Sequence, residues 1–117
     1  MFEIEEITVD ALQEQTLILF DGSALVLTLH YIEMQRGWFI RRLVHNDDFT
    51  VTNIRIGKNF NIVNQFKNLI PFGLACLSDE DRDPTQQEDF SSKSFNLFIL
   101  TSEELDAFGA ALANAEI

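Results

Sequence analysis

The chain has 117 residues, nineteen acids against eight bases and a net charge of −11. That length suits one domain able to bury a core without metals or disulfides. Phosphate-backbone binding and anionic membrane surfaces are disfavoured, because the bases are scattered and only Arg41 and Arg42 sit together.

The hydrophobic fraction is 46% and the charged fraction 23%, ordinary for a globular protein. Eleven of the thirteen aromatic residues are Phe, so the core or an interface is built on rings without a polar handle. The single cysteine, Cys76, rules out an internal disulfide, and its apolar neighbours predict a buried, inert thiol. The N-terminus has no basic-then-apolar signal layout, and no apolar run approaches the ~18 residues of a membrane span. A soluble protein used in a reducing cytoplasm is expected.

In chain order, residues 1–14 are acidic with spaced apolar positions and read as an N-terminal arm or an irregular edge segment. Residues 15–20 are short and apolar, and Asp21-Gly22 is a tight-turn dipeptide. Residues 24–33 alternate, with Leu25, Leu27, Leu29 and Tyr31 on one side, which predicts a hairpin. Residues 34–37 form the next turn, with Gly37 supplying positive φ, and a strand over 38–45 follows. Asn46-Asp47-Asp48 is a further turn. The next strand, 49–56, is predicted to set Phe49, Val51 and Asn53 against Thr50, Thr52, Ile54 and Ile56. Four strands joined by short turns make a meander that buries one face and needs a cover.

Residues 61–68 have apolar positions at helical spacing, enough for one or two helical turns before Pro71. A strand over 72–78, an acidic loop over 79–94 and a last strand over 95–100 follow. Thr101 with Glu104 three residues on is a capping box that opens a helix, 102–117, with Leu105, Phe108 and Leu112 on one face. The fold class is therefore mainly β, a β-sandwich or small barrel of about six to seven antiparallel strands. A short mid-chain helical turn and a C-terminal α-helix complete it, in one domain over 1–117.

Sites of chemistry are hard to find. Asp79, Asp81 and Asp83 have the spacing of a calcium loop, but the position for its Gly is Pro84 and that for its bidentate Glu is Phe90. His30 and His45 lie on separate strands without a nearby Cys, and His30 is placed to face Arg41 or Arg42. Ser23 has no evident base. No catalytic, cofactor-binding or metal site is assigned, and no cofactor is expected. The candidate interface residues are Trp38, Phe72, Phe90, Phe95, Leu105, Phe108 and Leu112, because Phe and Trp are enriched where subunits meet. The 79–94 loop, which holds Phe90, reads either as a mobile surface loop or as a segment that orders against a neighbour. Its deletion over 80–92 is expected to leave the domain folded and to impair assembly.

The order of features resembles the small plug proteins of contractile phage-tail baseplates. An apolar strand turns at Asp21-Gly22 into LVLTLHY, and Arg36-Gly37-Trp38 opens the next strand. Ile56-Gly57 then precedes FNIV, followed by GLACL, a loop with Asp83-Pro84-Thr85 and a final apolar strand ending near 100. The chain departs from the family pattern in its NQFKNLIPF segment, in FNLFIL and in a longer terminal helix. The resemblance implies a non-enzymatic virion component of the tail baseplate, assembled in the host cytoplasm in several copies around the tail axis. It would lie between the tube and the hub–spike complex, with an acidic surface that DNA slides past. Two readings from other classes stand beside it: an acidic adaptor domain that docks a protein partner, and a DNA-mimic inhibitor. The mimic needs carboxylates aligned on one face, whereas here they concentrate in turns and at both ends.

Overall fold

A computed structural model describes residues 2–59, 61–66 and 69–107. Seven strands are present among them: β1 (Phe2–Glu3), β2 (Leu12–Ile18), β3 (Ala24–Ile32), β4 (Gly37–His45), β5 (Phe49–Arg55), β6 (Phe72–Leu77) and β7 (Asn96–Thr101). They form two antiparallel sheets, β2-β3-β4-β5 and β1-β7-β6, which are not closed into a barrel. The meander predicted over the first half is the four-stranded sheet, and the second half supplies its cover. Residues 102–107 are helical, and 3-10 turns occupy Glu33–Gln35 and Asn64–Phe66. The latter lies within the predicted helical turn over 61–68, of which Lys67 and Asn68 are outside the described residues.

The alternation of β3 decides which face is inside. Leu25, Leu27 and Leu29 are all fully buried, as period-two patterning requires of a half-buried strand. They meet Leu74, Leu97 and Ile99 of the three-stranded sheet in one hydrophobic cluster. Ile4 and Ile7, from the acidic opening segment, are buried in the same cluster. Phe2 and Glu3 pair with Ile99 and Phe98.

The second half of the meander does not keep the parity that its sequence suggests. Thr28 pairs with Arg42 but Leu29 pairs with Ile40, so Arg41 is an extra residue in β4, a β-bulge. Trp38 and Ile40 therefore face the core on one side of the bulge, and Leu43 on the other. The neighbouring strand must follow. Its ladder skips Asn53, which takes φ 58, and the inward positions change from Phe49 and Val51 to Ile54 and Ile56. All four apolar residues lie on the core side, which corrects the simple alternation expected for 49–56. Asn is among the few residues that adopt this left-handed conformation at low cost.

Two turns show how local chemistry fixes the register. Asp48 N–H donates to His45 O at 3.1 Å, and the two residues between, Asn46 and Asp47, have φ 56 and 58. Positive φ at both central positions is the hairpin-favouring pattern that matches strand twist. At the β3–β4 turn the positive φ belongs to Arg36 (φ 47) rather than to Gly37. Gly37 instead opens β4, where an added Cβ would stand 2.8 Å from the Arg55 guanidinium.

The predicted capping box is present in both directions. Thr101 N–H donates to Glu104 Oε1 and Glu104 N–H to Thr101 Oγ1, each at 3.1 Å.

Candidate functional site

The most organised cluster of polar and aromatic groups among the described residues lies in the acidic loop between β6 and β7. Asp89 is buried at 1% exposure and receives a two-pronged contact from Arg82, Nη2 to Oδ1 at 2.8 Å and Nη1 to Oδ2 at 2.9 Å. Gln86 N–H also donates to Asp89 Oδ2, at 2.9 Å. Burial alone pushes the Asp89 carboxyl up, but the Arg82 guanidinium and the loop's own N–H groups outweigh it and hold the group below the usual carboxylate range. The Arg82 guanidinium also lies 4.9 Å from the centre of the Phe95 ring.

Next to this clasp, four rings run from β3 and β4 of the four-stranded sheet into the loop, ending one residue before β7. Tyr31 meets Trp38 at 5.5 Å, Trp38 meets Phe90 at 5.7 Å and Phe90 meets Phe95 at 6.4 Å, all edge to face. The two rings with polar handles use them on the loop: Tyr31 OH donates to Thr85 O at 2.9 Å and Trp38 Nε1 to Gln86 O at 3.2 Å. The loop also reaches the opening segment, with Gln87 Nε2 donating to Val9 O at 2.7 Å. The 79–94 segment is not a free surface loop: it packs against its own chain through Thr85, Gln86, Gln87 and Phe90. Its deletion therefore removes core, not only contact surface.

The residues singled out in the sequence divide accordingly. Trp38, Phe72, Phe90 and Phe95 are buried in the core of this chain. Leu105 is half-buried, its methyl groups above Gly73. Phe108 and Leu112 lie outside the described residues. Among the described residues, the large apolar side chains left exposed are others: Phe2, Val9, Leu12, Ile18, Phe20, Met34 and Leu69. Two of them, Leu12 and Ile18, are the apolar ends of β2, which alternates between exposed and half-buried positions with these ends on the outer side.

The remaining reactive groups have structural employment. Asp83 Oδ1 accepts the Lys58 N–H at 2.8 Å and so fastens the break after β5, while no group of three or more His, Cys, Asp or Glu among the described residues is placed to hold a metal ion. Burial pushes the Cys76 thiol up to about 12. His30 opposes Phe39, and it is Thr28 that faces Arg42.

Ser23 does have partners, contrary to the sequence reading. Its hydroxyl lies 2.5 Å from Asp21 Oδ1 and 3.0 Å from His45 Nε2. The hydroxyl and N–H of Ser23 hold the Asp21 carboxyl below the usual range. With Ser23 donating to Asp21, the imidazole must donate to Ser23, and a base that donates to a hydroxyl does not take its proton. The trio ties the β2–β3 turn to the end of β4.

Among known proteins, no curated protein matches the chain. A family model described as cyanophage baseplate Pam3 plug gp18 matches residues 1–103, a span that takes in both sheets, the clasped loop and the start of the helix. A match of that extent identifies a structural component of a phage tail baseplate, and the chain belongs to this baseplate plug family.

Proposed function

We propose that this protein is a non-catalytic plug or connector between the tail tube and the hub–spike complex of a contractile tail, present in several copies around the tail axis. The observation that carries the reading is the family match over residues 1–103. Assembly takes place in the host cytoplasm, and the partners are the tube, hub and spike proteins. A rigid two-sheet body whose loop is clasped internally suits a part that must hold its shape under load. A net charge of −11 suits a surface that DNA passes without gripping. Of the candidate contact residues, Trp38, Phe72, Phe90 and Phe95 support the contact surface from behind, and Leu105 anchors the start of the helix over Gly73.

Co-expression with the tube and hub–spike proteins of the same phage tests this reading. A stoichiometric complex that survives size-exclusion chromatography, and tails that fail to assemble a closed distal end when the gene is deleted, are the expected results. A chain that joins none of these proteins overturns it.

A further inference from the structure

Two exposed features lie at opposite ends of the β2–β3 hairpin, and each carries what the other lacks. At the end where β2 turns into β3, Phe2, Ile18 and Phe20 stay 59%, 69% and 59% exposed around a groove of about 180 Å³ floored by Leu19 and Ile99. Phe20 also walls an adjoining groove, lined further by Pro71, Asp21 and Glu103, so the apolar surface has an acidic rim. A contiguous set of exposed large apolar side chains rimmed by charge is the mark of a contact site. At the other end, nine residues or about 30 Å along β3, Met34 projects from the β3–β4 turn at 98% exposure. Arg36 stands beside it, and the Arg55 guanidinium closes on the carbonyls of Gln35 and Arg36 at 3.5 and 3.4 Å. Against these two cations the turn holds one acid, Glu33, so the knob is locally basic on a protein of net charge −11.

We infer that the Met34 turn of one copy seats in the acid-rimmed groove around Phe20 of the next copy. The contact rests on the reading above that the chain works in several copies. It is heterologous: each copy offers a knob at one end and a socket at the other, so a closing rotation gives a ring. Charge complementarity selects the second copy as occupant: Arg36 and Arg55 of the knob match Asp21 and Glu103 at the groove, a local attraction between copies that otherwise share a net charge of −11. Met suits the knob, since its unbranched thioether fills irregular apolar gaps.

Sedimentation velocity on the full chain over a range of concentrations provides the test. The wild type is expected to self-associate, and Met34→Asp or Phe20→Asp to weaken association on the order of tenfold or more, with unchanged melting because both residues are exposed. An equimolar mixture of the two variants retains one intact knob and one intact socket, and is expected to form a 1:1 pair that grows no further. Arg36→Glu is expected to weaken association and Arg36→Glu with Glu103→Lys to restore it. Variants that associate as the wild type does, or a mixture that fails to pair, overturn the inference. So does a wild type that stays monomeric yet joins tube and hub proteins through Phe20; that result assigns the groove to a tail protein and leaves the plug reading standing. A chain that neither self-associates nor joins them sinks both.

Discussion

The loop between β6 and β7 and the outer end of the β2–β3 hairpin invert the usual relation between regularity and burial. The loop has no strand or helix, is crowded with acids, and yet holds Asp89 and Phe90 at 1% and 2% exposure. The hairpin is regular and strongly apolar, and yet leaves Ile18 and Phe20 largely in water. The difference comes from what each segment has to satisfy. The outer side of β2 carries Leu12 and Ile18 in exposed positions, and no strand of the described residues packs over them. The loop, by contrast, carries its own counter-charge in Arg82 and receives side-chain donors from β3 and β4, so its backbone carbonyls are satisfied away from water.

The largest test of this contrast is removal of the loop. Deletion of residues 80–92 takes out the Arg82–Asp89 pair and Phe90, and leaves Trp38 Nε1 and Tyr31 OH without their acceptors. Loss of cooperative melting is expected, by calorimetry or near-ultraviolet circular dichroism; a cooperative melt near the wild-type temperature would return the loop to the surface. Phe90→Ala alone should cost about 3–5 kcal/mol in urea unfolding, the usual range for a truncated core ring.

Asp89→Asn probes the clasp at smaller scale. The exchange keeps the shape but removes the charge, and should cost about 1.5–3 kcal/mol at neutral pH. Its sign with pH follows from the depressed carboxyl. A group whose folded-state pKa lies below its unfolded value contributes fully above the unfolded value and loses that contribution as pH falls through the folded one. The stability gap between wild type and Asp89→Asn should therefore be open at pH 7 and close below about pH 4, where free carboxylates protonate. A gap that stays constant with pH would mean that the charge of Asp89 does not contribute.

Gly73→Ala ranks next. The added Cβ would stand 2.7 and 2.8 Å from the Leu105 methyl carbons and 3.0 Å from Asn61 Oδ1. Leu105 can yield, but Asn61 is held by the N–H groups of Val63 and Leu74, so a cost of about 1–3 kcal/mol is expected. In a double-mutant cycle Leu105→Ala should recover part of it. Full additivity would show that the helix does not pack on β6 through this contact.

What was legible in the sequence follows the range of the interactions involved. The alternation of β3, the Asn46-Asp47 turn and the Thr101–Glu104 capping box are decided by residues within a few positions of one another, and each stands in the structure as read. The parity change in β5 was not legible, because it is imposed by an extra residue, Arg41, in the neighbouring strand. Nor was the clasp: Arg82 and Asp89 are seven apart in a stretch whose composition is that of a solvated loop, and their worth depends on Trp38 and Tyr31, dozens of residues away. The aromatic residues chosen as contacts were chosen by size. Size predicts burial equally well, and in Trp38, Phe72, Phe90 and Phe95 burial within the chain won. One signal did point the right way: Phe90 is the single ring in an otherwise polar segment, and a lone large ring there needs a pocket.

The smallest effects should fall at the hairpin end, and their smallness is what completes the contrast. Ile18→Thr keeps β-branching on an exposed strand position, so neither strand propensity nor core packing changes much. Phe2→Ser and Phe20→Ser remove rings that are more than half exposed. Each is expected to shift stability by no more than about 0.5 kcal/mol, the range of surface substitutions remote from caps, cavities and buried charge. Paired urea titrations against Phe90→Ala measure both regions on one scale. A loss above about 1 kcal/mol at Ile18 or Phe20 would mean that the isolated chain already covers this end. Near-neutral stability combined with weakened self-association would leave these side chains one role, contact with a neighbouring copy, since apolar surface that contributes nothing to the fold of one chain has its effect only where a second chain removes it from water.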